Sequence, residues 1–275
     1  MHTGMPVEDV SPGPILLFAF SGWNDACDAA SDAIGHLVDA YDAQPVAEIR
    51  PGNYYDLQRY RPLVSIGVNG RRDVAWPVTE VLVARVPGRD LILVRGPEPG
   101  FRWDEFCDEL LAIIGPVQPS LALALGSVAA EVPHTRDLPI KAFTQDADLA
   151  ASHGVGVTAH EGFTGITGIL ADACDAAGIP TIRVWVSVPS YVSTPPSPKA
   201  TLALITSVSA LAGLSIDQGD LDERSEAWTR SIDELASLHG LGERIARMES
   251  DAQAGGMSGD AVEDELLRFL RDRTS

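Results

Sequence analysis

Residues 14–25 read P-I-L-L-F-A-F-S-G-W-N-D. An unbroken apolar run closed by Ser21-Gly22 predicts a buried strand. Asn24 or Asp25 can cap the next element, and apolar spacing over 26–41 predicts that it is a helix. The same alternation recurs downstream. Residues 45–50 suggest a strand closed by Pro51-Gly52, and 63–69 and 78–86 suggest two more, with 70–73 as a turn. A short apolar run at 91–94, the loop G-P-E-P-G at 96–100 and an amphipathic helix over Trp103–Ile114 come next. Strands are expected at 121–125, 140–143 and 181–188, and a helix at 199–212. Strands alternating with helices predict a three-layer α/β/α sandwich around a mixed, mostly parallel central sheet, placed in residues 1–216.

From residue 217 the character changes. Glycine and proline nearly vanish until Gly240, and charges recur at helical spacing. Residues 217–275 therefore read as a C-terminal helical extension, with an arm over 217–249, a soft linker over 252–260 and a last helix over 261–273.

Composition narrows the partners. The 275-residue chain has a formal net charge of −19, and its only lysines are Lys141 and Lys199. A field this acidic repels phosphate backbones and anionic lipid, so neither nucleic acid nor a membrane is expected. Cys27, Cys107 and Cys174 are few, scattered and odd in number, which fits a reducing cytoplasm. The first residues carry no signal-peptide core, and the apolar runs are too short to span a bilayer.

The glycines at 162, 165 and 168 in A-H-E-G-F-T-G-I-T-G-I-L (159–170) precede an apolar run. Their spacing is G-x-x-G-x-x-G. It matches neither the G-x-G-x-x-G of a dinucleotide loop nor a Walker loop with its G-K-[ST]. If a helix starts near Gly165, the glycines at 165 and 168 share one face, and close approach by a neighbour explains them better than a bound phosphate. A helix N-terminus of small residues nevertheless attracts anions, so Gly165 stays a ligand candidate.

Other candidates lie at strand ends, where open α/β sheets bind ligands. Trp23, Asn24 and Asp25 line a cleft there or serve as cap and cover. Glu131, His134 and Arg136 combine an acid, an imidazole and a guanidinium within one loop, able to do acid–base work on an anion or to form a loop salt bridge. Glu161 joins them as a fourth catalytic candidate. His153 and His160 lack recognised ligand spacing, and no metal or cofactor is expected. No G-x-S-x-G elbow occurs. Tyr54, Tyr55, Arg59, Tyr60 and Arg61 form an aromatic–arginine segment in an acidic chain, a pattern enriched at interfaces.

Taken as a set, several motifs resemble an actinobacterial protein of the proteasome assembly chaperone family. They are S-G-W-N-D-A (21–26), R-P-G-N-Y-Y-D-L-Q-R-Y-R-P (50–62), G-P-E-P-G-F-R-W (96–103), L-G-S-V-A-A-E-V-P-H-T-R (125–136), E-G-F-T-G-I-T-G-I-L (161–170) and V-P-S-Y-V-S-T-P-P-S-P-K-A-T (188–201). The resemblance covers about residues 10–215. It implies an α/β/α fold of the phosphorylase/hydrolase-like kind and self-association, such as a homotrimer, or pairing with a related subunit. In archaeal and eukaryotic relatives the role is to chaperone assembly of the proteasome α-ring, so proteasome subunits or another protein are the further partners implied. Some such chaperones end in hydrophobic-Tyr-X; this chain ends R-D-R-T-S, so docking by that tail is not expected.

Two functions are compatible with these residues. The first is a non-enzymatic assembly or interaction protein. The second is a small-molecule enzyme, nucleoside- or phosphate-directed, with Asn24, Asp25, Glu131, His134, Arg136 and Glu161 meeting in one cleft; the resemblance adds an ATP-dependent carboxylate–amine ligase, since some family members carry such a label. The lack of a complete catalytic constellation favours the first.

Overall fold

The computed structural model describes residues 13–253, apart from 69, 159 and 193. The run that opens the sequence is β1 (Ile15–Ser21). It lies between β6 (Arg89–Pro97) and β7 (Leu121–Ala130), parallel to both. Its side chains alternate between two cores. Ile15, Leu17 and Ala19 face one apolar cluster, and Leu16, Phe18 and Phe20 face the other. A strand covered on both faces has no solvent side to mark with polar residues, which is why it reads as an unbroken run. Each large side chain buried this way contributes about 1.5–3 kcal/mol.

The remaining strands extend the sheet outward. They are β2 (Gln44–Ile49), β5 (Thr79–Val86), β8 (Ile140–Thr144), β9 (Gly156–Val157) and β10 (Thr181–Pro189). The order is β2-β5-β6-β1-β7-β10-β8-β9. The centre is parallel, whereas β2, β5 and β8 run antiparallel to their inner neighbours. The first core lies under α1 (Ala29–Ala40) and α5 (Pro198–Ala212). The second lies under α2 (Trp103–Ile114) and α4 (Ile166–Ala176). Helices on both faces of a mixed sheet make three layers.

Several details depart from the sequence reading. The first helix starts at Ala29, because Cys27 (φ 53°) and Asp28 (φ 56°) interrupt it with left-handed backbone. The strand expected over 63–69 ends at Ile66, giving β3 (Leu63–Ile66). The turn lies earlier than 70–73, with the Gly67 N–H bonded to the Arg71 carbonyl at 2.9 Å, and the chain resumes as β4 (Arg72–Ala75). A short α3 (Ala147–His153), capped by the Asp146 carboxylate on the Asp148 and Leu149 amides, is an addition to the expected elements.

The arm is two helices, α6 (Leu221–Leu238) and α7 (Gly242–Gln253), parted at Gly240 (φ 68°). It packs on its own domain: Leu221 is buried in the same cluster as α1 and α5, and Ile232, Ala236, Ile245 and Met248 are buried as well. The linker expected over 252–260 and the helix over 261–273 lie outside the described residues, apart from the first two linker positions, which end α7.

Candidate functional site

The C-terminal ends of β1 and β6 lie side by side, with Ser21 opposite Pro97, and the Glu98 N–H donates to the Ser21 carbonyl at 2.9 Å. A cleft of about 330 Å³ opens just beyond them. Trp23, Arg59, Glu98, Trp103, Phe163, Thr164 and Gly165 line it. Its carboxylate comes from G-P-E-P-G, which reads in the sequence only as a loop. Glu98 is buried at 8% exposure. One of its oxygens accepts the Ile166 amide at the start of α4 at 3.3 Å, and the other accepts the Trp23 amide at 3.4 Å.

Gly165 is explained by close approach. A methyl group there would overlap Asn24 Oδ1 and sit 3.0 Å from Glu98 Oε1. At Gly168 a methyl would run into the Thr164 hydroxyl. Asn24 is buried, and its Oδ1 has no hydrogen-bond partner among the described residues.

Asp25, next in sequence, faces the other core. Its carboxylate accepts the Ala30 amide at 2.7 Å, the Ser31 amide at 3.3 Å, the Ser31 hydroxyl, and the Ser127 hydroxyl at 3.2 Å. It ties the irregular start of α1 to β7. Burial raises its pKa to about 6, against the lowering effect of these bonds.

Glu131 and His134 belong to a different assembly. Arg244 of α7 grips Glu131 with two nitrogens, one at 3.0 Å, and the Ser190 hydroxyl adds a third bond. Burial works against the carboxylate, but these donors outweigh it and lower its pKa. His134 is fully buried. Tyr191 Oη lies 2.7 Å from His134 Nδ1 and accepts the His134 amide at 2.8 Å, while His134 Nε2 lies 3.0 Å from Asp233 Oδ1 on α6. The Asp233 carboxylate oxygen accepts, so Nε2 is the donor in that contact. Lys199 donates to the His134 carbonyl at 2.7 Å, and Thr135 bonds Glu249 on α7. This polar latch fastens the β7–β8 loop to both arm helices. Arg136 and Glu161 are exposed, and neither Glu131 nor His134 lines the aromatic cleft.

The aromatic–arginine segment divides. Tyr54 packs edge-on to Phe106 and bonds Glu109 at 2.7 Å; that bond and burial raise its pKa to about 12. Tyr55 is buried against Thr79, and Tyr60 reaches the Ser21 carbonyl at 3.4 Å. Arg59 lays its guanidinium over the Tyr60 ring, 5.3 Å from the centroid, at the cleft wall. Arg61 is exposed and leads into β3.

β3 and β4 pair only with each other. Every residue of both strands is exposed. Leu63 stands at 71% and Ile66 at 70% exposure, with Val64, Val74 and Trp76 also exposed. Val64 pairs with Val74 on one face beside Ile66, and Leu63 pairs with Ala75 on the other. Among the described residues no cluster of metal-ligating side chains occurs.

The mixed eight-stranded sheet with helices on both faces is a three-layer α/β/α body, and that is the class of protein the fold defines. The PAC2 family model matches residues 19–236, and the chain belongs to the PAC2 family. A PAC2 family protein from Streptomyces avermitilis is 43% identical with a TM-score of 0.81, over 86% of this chain and 99% of that one. The Mycobacterium tuberculosis proteasome-assembly chaperone homologue Rv2125 is 42% identical with a TM-score of 0.74, over 80% of this chain and 94% of that one. Pyrococcus furiosus PbaA, an archaeal homolog of proteasome-assembly chaperone, shares the fold at 15% identity and a TM-score of 0.56, over 88% of this chain and 96% of that one. No curated protein matches.

Proposed function

We propose that the chain is a non-enzymatic, assembly-chaperone-like protein of the cytoplasm that associates with itself through the β3–β4 hairpin. The hairpin is the observation that carries this reading. A two-stranded ribbon alone is marginal in water. This one exposes apolar side chains on both faces, and such patches mark association surfaces. Most soluble oligomers are closed homo-oligomers, so a second copy of this chain is the first occupant to test for such a patch. The M. tuberculosis relative's name supports a role in assembly, with proteasome components as the further partner class. Residues 1–216 serve as the body and 217–275 as a C-terminal extension, of which the latch holds α6 and α7 against the body.

The acid and imidazole of the loop after β7 are occupied by Arg244, Ser190, Tyr191 and Asp233, which supports a structural use over catalysis. No helix among the described residues is long and apolar enough to cross a membrane.

Light scattering coupled to size exclusion tests the reading. The wild type should run as an oligomer, and the Leu63→Asp, Ile66→Asp double variant as a folded monomer with an unchanged melting temperature. A wild type that stays monomeric at its highest soluble concentration overturns self-association. Addition of the oligomer to unassembled proteasome α-subunits should speed ring formation, and unchanged ring kinetics would remove proteasome components as partners.

A further inference from the structure

The cleft at the ends of β1 and β6 has a chemistry of its own, independent of the hairpin. Three aromatic side chains, Trp23, Trp103 and Phe163, stand around it. Trp103 spends its indole N–H on the Pro99 carbonyl at 2.6 Å, which fixes the ring. Phe163 is 64% exposed, so an apolar ring is held in water at the mouth of the cleft. At the wall sits the Glu98 carboxylate. Its two oxygens each accept one long backbone bond, at 3.3 and 3.4 Å, while a carboxylate offers about four lone-pair positions. Behind Gly165 lies the unpartnered, buried Asn24 Oδ1. Asn24 does not line the cleft, so the acceptor the cleft offers is the Glu98 carboxylate, with lone-pair positions left over. Arg59 supplies the opposite sign, stacked on Tyr60 and making no ion pair among the described residues.

Aromatic faces attract organic cations, and a buried carboxylate pairs with a guanidinium fork or an ammonium. A chain of net charge −19 draws such cations toward it. The Arg59 guanidinium at the wall, stacked on Tyr60, keeps donors for a carboxylate. A volume of about 330 Å³ takes one small molecule or one side chain. We propose that this cleft binds a small zwitterion, a guanidinium or ammonium group held by Glu98 and the aromatic rings, whose carboxylate is held by Arg59. The ligand is either a free basic amino acid or a basic residue at the C-terminus of a peptide; both carry the same two groups.

The test uses the full chain and the indole N–H signals of its five tryptophans in nitrogen–proton spectra. Titration with L-arginine should move the Trp23 signal saturably, with a Kd below about 1 mM. Agmatine, which lacks the carboxylate, should bind several-fold more weakly, and Arg59→Gln should erase that difference. Glu98→Gln keeps an acceptor for the Ile166 amide and should weaken arginine about tenfold, the loss of one charge-assisted pair. Phe163→Ala, at an exposed position, should weaken it without altering the fold. A tripeptide ending in arginine separates the two sources: tighter binding than free arginine assigns the peptide terminus, and weaker binding assigns the free amino acid. The absence of a saturable shift up to about 10 mM, or equal binding by wild type, Glu98→Gln and Phe163→Ala, overturns the proposal.

Discussion

The polar latch and the β3–β4 hairpin are opposite solutions within one chain. In the latch, Glu131, His134, Tyr191, Asp233 and Arg244 answer one another. In the hairpin, Leu63, Val64, Ile66 and Val74 stay exposed to water beyond their cross-strand neighbours. The loop after β7 carries residue types that suggest chemistry, yet the arm uses them for attachment. The hairpin carries no chemically reactive constellation, yet it leaves the most unfinished surface. A group's role depends on what its own chain leaves unanswered. The aromatic cleft lies between the two, with Glu98 held by two long bonds.

The comparison can be broken first at its closed end. His134→Ala opens a cavity and strands the Tyr191 hydroxyl and the Asp233 carboxylate. It should cost about 3–4 kcal/mol in denaturant unfolding and expose α6 and α7 to protease. A loss below about 1 kcal/mol would mean that the latch is incidental.

Asp25 gives a pH signature on the same side of the sheet. Its folded pKa of about 6 lies above the ordinary aspartate value of 3.8. The native state thus binds more protons between those values, and stability falls as pH rises through the window. Stability from this group is fullest below about pH 4, and about 3 kcal/mol of it is gone above pH 6. Asp25→Asn, which retains an acceptor for the Ala30 amide, should flatten the slope measured by chemical denaturation at a series of pH values. An equal slope in wild type and variant would assign it elsewhere.

At the cleft, Gly165→Ala drives a methyl into Asn24 Oδ1 and should lower stability by about 1–3 kcal/mol in thermal melts. A neutral result would mean that Asn24 swings away freely. The smallest effect belongs to Arg244→Gln. The Arg244–Glu131 pair is about two-fifths exposed, at 38% and 41%, so solvent screens it. The cost should be about 0.5–1 kcal/mol, with no change in association or in the Trp23 signal.

The central sheet is legible because burial on both faces writes itself as apolar runs. Residues 14–20, 121–125 and 181–188 each predict a strand, found as β1, β7 and β10. β4 is not legible. Arg72-Asp73-Val74-Ala75 buries no face and so carries no alternation toward a core. The start of α1 is displaced from its expected place because left-handed Cys27 and Asp28 carry no composition signal. At the candidate site, Trp23 and Gly165 stand out from a strand end and a glycine pattern. Arg59 reads as an interface residue and lines the cleft. Glu98 escapes the sequence reading, although an acid between two prolines directly after a strand is a usable sign. Trp103 reads only as a helix residue, because long-range placement beside Trp23 is a property of the sheet. The partners of Glu131 and His134 lie more than 50 residues away in sequence, so their pairing is invisible to any local pattern.

Amide hydrogen exchange of the hairpin, measured from dilute to concentrated protein, tests self-association most directly. Protection at Leu63–Ile66 and Arg72–Ala75 should rise with concentration in the wild type and stay low in the Leu63→Asp, Ile66→Asp variant. Hairpin amides that exchange at the same rate at every concentration would contradict the account.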